Sequence, residues 1–238
     1  MKKLMWIVTC LDLIATAVVI QFMPDRVPMH FDAAGNVTRW GSRFENLLIP
    51  LILLASVFGW EIYCRILEKR AAEKDSAGDN KEAVNIRNNI KRINAVGLGL
   101  PFLVIILQVA VFIQEWKITE NDLSSATFDI SKITTLAMGV LLIFLGNITA
   151  KTRRNGAIGV RMTWSMYNDV TWAKCNRFGG IALMISGVLT IIESLILNNG
   201  FVTSMVMLAI ILLATAVVGI YSHRVYAEEV AKDGGKKH

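Results

Sequence analysis

Asp12 and Glu61 each interrupt a long apolar run of this 238-residue chain. A carboxylate inside a membrane is costly, so it faces a bundle interior or a water-filled cavity. Asp12 lies about eight residues into the run 4–23, and Glu61 about six residues from the end of the run 47–67. At a rise of about 1.5 Å per residue they sit roughly 12 and 9 Å deep. Two carboxylates at matching depth define a candidate proton or cation site, the chemistry of a small coupled transporter or channel. The competing arrangement for Glu61 is an ion pair with Arg65, one helical turn on. For Asp12 it is a hydrogen-bonded carboxyl, with Thr9, Thr16 or Asn147 as partner. Gln108 is a candidate for a hydrogen bond between helices. Glu193 lies near the end of another run and is expected to reach the interface.

Metal and nucleophile chemistry find little support. The three histidines, His30, His223 and His238, are far apart, and neither an HExxH pattern nor a Cys/His cluster accompanies them. No nucleophile-elbow pattern is present. The chain is therefore read as a non-enzyme, without metal or cofactor. His30 is expected to be a hydrogen-bonded loop residue. Cys10, Cys64 and Cys175 are expected to be small buried apolar residues, without a disulfide.

The elements that must position these residues are membrane helices. Apolar residues make up 54% of the chain and the mean hydropathy is +0.49, above the usual range of soluble domains. Six runs are long enough to cross the roughly 30 Å of hydrocarbon: 4–23, 47–67, 93–113, 133–150, 178–197 and 201–221. Continuous runs of this length predict helices, because an outer-membrane barrel shows short alternating segments of about ten residues. The first run has no small-residue cleavage pattern after it and is read as a retained helix.

Of the 25 Lys and Arg residues, 20 fall on the termini and the second and fourth loops, and 5 on the other three loops. Positive charge stays cytoplasmic. The fold class is thus an all-α integral membrane protein of six transmembrane helices with both termini cytoplasmic. The net charge of +6 is a topology signal that also attracts anionic membrane lipid, and it needs no nucleic acid to explain it.

The chain divides into four parts. Residues 1–70 form a two-span unit around an extracytoplasmic loop, 24–46. Residues 71–92 are a charged cytoplasmic connector, 93–222 a four-span unit with a cytoplasmic loop at 151–177, and 223–238 a tail ending in AKDGGKKH that is expected to be disordered. In the first loop Pro24 and Pro28 exclude a regular helix. Val27, Met29 and Phe31 alternate, predicting a short extended piece before a turn at 33–36, where Gly35 or Asn36 takes positive φ. The second span is expected to run on to about Lys74, with a break at 76–79 and a cap at Asp79 or Asn80. Gly97, Gly99 and Pro101 predict a kink or a close helix contact.

The stretch 153–180, RRNGAIGVRMTWSMYNDVTWAKCNRFGG, is basic and aromatic. Gly156 and Gly159 suggest turns. Trp164, Tyr167 and Trp172 suit headgroup depth. Ser165 or Asn168 is expected to cap a helix beginning near Asp169.

The residues Gly159, Arg161, Thr163, Trp164, Trp172, Asn176 and Arg177 resemble the signature of the SdpI immunity family, Gly-x-Arg-Thr-Pro-Trp-Thr, then a Trp, then Asn-Arg. Met162 and Thr163 depart from the family's Thr-Pro order. Gly146-Asn147 is similar to a recurrent pair in the family. The first loop, Met-Pro-x-x-Val-Pro-x-His-Phe followed by Gly-x-x-x-x-Trp-Gly-Ser, resembles an extracytoplasmic domain of unknown function that often precedes the SdpI segment.

The resemblance implies a bacterial plasma-membrane protein that protects against a secreted membrane-active peptide toxin, the sporulation-delaying cannibalism toxin. It also implies possible signal transduction, in which toxin binding holds a small winged-helix repressor at the membrane. On that reading Pro28, His30, Phe31, Gly35, Arg39 and Trp40 are candidates for toxin contact. Gly159, Arg161, Thr163, Trp164, Trp172, Asn176 and Arg177 are candidates for cytoplasmic docking. Asp12, Glu61 and Asn147 are the intramembrane polar set.

Overall fold

The computed structural model describes residues 1–32, 34–155 and 158–235. Ala33 of the expected turn, Gly156 and residues 236–238, His238 among them, lie outside the described residues. Six helices are long and apolar enough to cross a membrane: α1 (Lys2–Phe22), α2 (Leu48–Ser76), α3 (Asn80–Glu120), α4 (Ile130–Thr149), α5 (Asp169–Ile196) and α6 (Gly200–Gly235). Their outward faces carry exposed Leu, Ile, Val and Phe, as a surface against lipid requires. Helices α1, α2 and α3 pack on one another, α4, α5 and α6 do likewise, and α3 meets α4.

Helix ends fall where polar side chains satisfy free amides. Gly78, at φ 81°, turns the chain after α2, and Asp79 accepts from the Glu82 amide at 3.2 Å to start α3. Lys74 pairs with Glu82 at 2.7 Å and Arg87 with Asp75, closing this hairpin. Helix α3 continues through Pro101. Gly97 there faces the Trp60 ring, and a Cβ would lie 2.5 Å from its Nε1. The glycines near Pro101 therefore serve close contact, as expected.

The tightest helix contact joins α4 and α5. A Cβ on Gly180 would stand 2.5 Å from the Gly146 carbonyl oxygen, and one on Gly187 2.5 Å from that of Gly139. Both helices carry their glycines seven residues apart, so an antiparallel pair of backbones meets twice along one seam.

The loop at 24–46 is more ordered than its alternation suggests. Strands β1 (Arg26–Phe31) and β2 (Val37–Ser42) pair antiparallel, and a 3-10 turn, Arg43–Leu47, leads into α2. The second strand has no apolar alternation to announce it. Its stability comes partly from the loop before α4: the Val37 amide donates to Ser124 at 2.9 Å and the Ala126 amide to Gly35 at 2.8 Å. Below the hairpin, Val27, Met23 and Ile20 form a buried cluster against Phe112. Asn46 donates to the buried Glu115 at 2.8 Å, tying the 3-10 turn to α3.

The tail departs from expectation. Helix α6 reaches Gly235 rather than ending near Tyr221. Glu229 binds Lys174 of α5 at 3.1 Å and Lys232 at 2.9 Å, and Ser222 and Val225 are buried. They carry the helix into the end expected to be disordered, AKDGGKKH, of which residues 231–235 are helical.

Candidate functional site

Polar groups gather at the two ends of the bundle and in one cleft within it. At the end that carries the termini, the connector between α4 and α5 is folded onto α5 by its own polar groups. Asn168 caps α5, accepting from the Thr171 amide at 2.8 Å, and Thr171 returns a bond to the Asn168 amide. Ser165, fully buried, accepts from the Met162 amide and donates back to the Val160 carbonyl at 2.7 Å. Asn176 accepts from the Val160 amide at 2.7 Å and donates to the Trp172 carbonyl at 3.1 Å. Trp172 is 1% exposed and donates to the Thr152 carbonyl at 2.9 Å. Gly159 sits at φ 127°, and a Cβ there would lie 2.3 Å from Asn176 Oδ1.

Trp172 and Asn176 are therefore not part of a docking face. They are the interior of the platform, and Gly159 is the residue that lets the chain cross it. Trp172 turns inward because its indole finds a carbonyl twenty residues upstream. The outward face belongs to Arg161, Thr163 and Arg177, which are exposed, and to the half-buried Trp164. Among the described residues Arg161 and Arg177 have no ion pair, unlike Arg154, which meets Asp169 at 3.5 Å.

Trp164 packs edge-on against His223 of α6 at 5.7 Å, and Tyr167 does the same with Tyr226 at 5.2 Å. The Tyr167 hydroxyl donates to Asp233 at 3.1 Å, and this bond holds its phenol above the usual range. The connector is thus fastened to both α5 and α6.

At the opposite end, the hairpin presents His30, Arg39 and Trp40 outward, with Phe31 half-buried. His30 Nδ1 lies 2.6 Å from Thr38 Oγ1, the hydrogen-bonded role expected of it. Arg39 pairs with Glu45 at 2.9 Å. Pro28, like Val27 before it, is buried, so it does not belong to the outward surface of the hairpin. Gly35 takes φ 86° in the turn.

Hydrogen bonds from the Asn36 side chain and amide, joined by those of Ala34 and Gly35, hold the Asp32 carboxyl below the usual carboxylate range. A depressed carboxylate contributes order that is present above its unfolded pKa and lost as pH falls through its folded one. Acidification below about pH 4 should therefore free the amides of residues 34 and 36, and D32N should reproduce that state at neutral pH. Amide exchange at these positions checks both; protection unchanged in D32N would show that the strands alone hold the turn.

The intramembrane carboxylates part company. Glu61 accepts from Trp6 Nε1 at 2.7 Å and pairs with Arg65 at 2.6 Å, as its one-turn spacing allows. Among the described residues it shares no partner with Asp12. Asp12 is 9% exposed, its Oδ2 has no hydrogen-bond partner, and the expected bonds to Thr9, Thr16 and Asn147 are not formed. Asn147 is exposed and accepts from Lys151 at 2.7 Å, so it belongs to the helix end rather than to the interior. Gln108 does bridge helices, donating to Thr16 at 2.9 Å. Glu193, expected at the interface, instead has both carboxylate oxygens buried without a partner. Cys64 and Cys175 are buried, whereas Cys10 faces outward from α1.

Sequence reasoning missed the residues that build the platform and the seam. Ser165, Thr171 and Thr152 act through backbone groups that no spacing rule marks. Gly139, Gly146, Gly180 and Gly187 were accessible through their seven-residue interval on two apolar runs.

A bundle of six helices of membrane-crossing length, with a pinned hairpin at one end and a basic aromatic connector at the other, defines a multi-pass membrane protein. Residues 151–222 match the model of the SdpI/YfhL protein family, and residues 7–54 match a domain of unknown function, DUF1648. The likeness to the SdpI/YfhL family thus covers the connector, α5 and most of α6. It is 22% identical to the immunity protein SdpI of Bacillus subtilis (strain 168) over 220 residues, spanning 92% of this chain and 93% of that relative. No solved structure matches. Six apolar helices of membrane-crossing length, with the likeness to this bacterial protein, support a multi-pass bacterial membrane protein.

Proposed function

We propose that this chain confers resistance to a secreted, membrane-active peptide toxin. The observation that carries the reading is the near end-to-end likeness to an immunity protein, over 92% of this chain. The hairpin at 24–46 is the outer face that meets the peptide first. Its aromatic and cationic surface, Trp40, Arg39 and His30, suits a peptide held at the lipid interface.

The basic end, chiefly residues 159–177, docks a cytoplasmic partner, a small winged-helix repressor. Arg161 and Arg177 are the cations left free to meet it, with Trp164 beside them as an aromatic anchor. The charge bias of the loops supports a cytoplasmic location for this end. The engaged state of Glu61 gives the alternative, a coupled transporter using Asp12 and Glu61, nothing further to rest on.

Toxin-sensitive cells expressing R161A at levels matched to the unaltered chain separate the two roles. Loss of repressor recruitment to the membrane, with the protein still inserted and folded, is the expected result. Unchanged recruitment in both R161A and R177A would remove the docking role from this end.

A further inference from the structure

Two long stretches of the chain carry no carboxylate. Residues 83–114 and 130–168 contain no Asp or Glu, yet each has a basic pair, Lys91-Arg92 in the first and Arg153-Arg154 in the second. The fold joins the two pairs through one side chain. Asn89 of α3, 4% exposed, accepts from Arg92 Nη1 at 3.4 Å and from the Arg153 amide at 3.3 Å. It also donates to the Arg153 carbonyl at 3.3 Å. A buried amide thus sets Arg153, at the start of the connector, beside the Arg92 guanidinium.

The two cations lack a counter-charge. Arg92 is half-buried, and the charge of Arg153 opposes its own. A cation partly withdrawn from water is normally paired. Arg154, the next residue, meets Asp169 at 3.5 Å. Glu61, Glu68 and Asp75 of the neighbouring α2 meet Arg65, Lys2 and Arg87. Among the described residues Arg92 and Arg153 have no ion pair, so the anion that suits them comes from outside the chain. Depth says which anion. Arg92 directly precedes the apolar run 93–113, and Arg153 follows the run 133–150 by three residues. Both stand where hydrocarbon gives way to headgroups, and the anion at that depth is the lipid phosphate.

We propose that Arg92 and Arg153, set in place by Asn89, bind the phosphate of an anionic membrane lipid where α3 meets the connector. Guanidinium groups match phosphate oxygens with paired hydrogen bonds, which a Lys ammonium cannot do. This is more than the attraction of a positive face for anionic lipid. A field depends on how many charges the face carries, whereas a site depends on which ones they are and how they are held. The bound phosphate bridges α3 to the connector, and it does so whether or not the chain protects against a toxin.

The test titrates the full detergent-solubilised chain with phosphatidylglycerol and counts bound lipid by native mass spectrometry. R92A and R153A should each weaken binding about tenfold, the scale of one hydrogen bond to a charged group. R70A is the control. It removes the same charge from an exposed residue of α2 and should bind like the unaltered chain. N89A keeps every charge but frees Arg153, and should weaken binding as R153A does. R92K, which keeps the charge and loses the fork, should fall between R92A and the unaltered chain. Millimolar inorganic phosphate should leave the lipid in place.

Equal weakening by R70A, R92A and R153A overturns the site and leaves a positively charged face without one. Full binding by N89A, in a chain that melts like the unaltered one, overturns it as well. Displacement of the lipid by inorganic phosphate makes the site one for a soluble anion and overturns the lipid as its occupant. The readout is lipid bound to purified protein, so failure of the chain to protect cells from a toxin leaves this result unchanged.

Discussion

G180L should leave α4, α5 and α6 without a folded packing. The leucine Cβ would stand 2.5 Å from the Gly146 carbonyl oxygen and 2.6 Å from the Ala150 amide nitrogen. Both are backbone atoms of α4, so no side-chain rotation relieves the clash and the helices must part. Their partition also breaks the second meeting point at Gly139 and Gly187. Overpacking of this kind costs about 3 kcal/mol or more, a large share of the stability of an ordinary domain. Gly59 is the control. No atom lies within 4 Å of its built Cβ, so G59A should be neutral or gain roughly 0.5–1 kcal/mol from helix propensity. Thermal unfolding of the detergent-solubilised protein decides the matter: a G180L chain that melts like the unaltered one would mean that the α4–α5 seam is not closed as described.

W172A should release the connector from the bundle. The indole is almost fully buried, carries the bond to Thr152 and forms the floor on which Gly159 lies. Removing a buried tryptophan costs about 3–5 kcal/mol. W172F keeps most of the packing and strands the Thr152 carbonyl, at about 1–3 kcal/mol. The loss is expected to be local, because the ring's hydrogen bond and its packing under Gly159 both lie within the connector. Trypsin should therefore cut W172A rapidly at Arg153, Arg154 and Arg161 while sparing the hairpin end, with W172F intermediate. Equal resistance in all three chains would show that the connector is held by Ser165 and Asn176 without the ring.

Much of the architecture was legible because its causes are local. Each span is a run of apolar residues long enough to cross hydrocarbon, and the caps at Asp79 and Asn168 are short polar side chains placed ahead of helices. The ion pair of Glu61 with Arg65 follows from one-turn spacing. The Gln108 bridge was accessible because a buried amide inside a membrane needs a partner.

What escaped depends on distant backbone. Strand β2 is exposed along most of its length and owes part of its pairing to residues 124–126. Trp172 reads as an interfacial aromatic until the Thr152 carbonyl is found above it. The end AKDGGKKH reads as disordered, yet residues 231–235 continue α6, which Glu229 fastens to Lys174 of α5. At the candidate site the residue types were legible, but their division was not. The same motif holds buried supports, Gly159, Trp172 and Asn176, and outward groups, Arg161, Thr163 and Arg177. Only the fold separates those that build the platform from those that use it.

The central claim is protection of a membrane against an inserted peptide. Its most direct measurement is the survival of toxin-sensitive cells challenged with the secreted peptide while expressing the unaltered chain, with G180L at matched transcript levels as the unfolded control. Survival that rises with expression of the unaltered chain and is absent with G180L is the predicted result. Killing at the same toxin dose with and without a folded, membrane-inserted chain would contradict it.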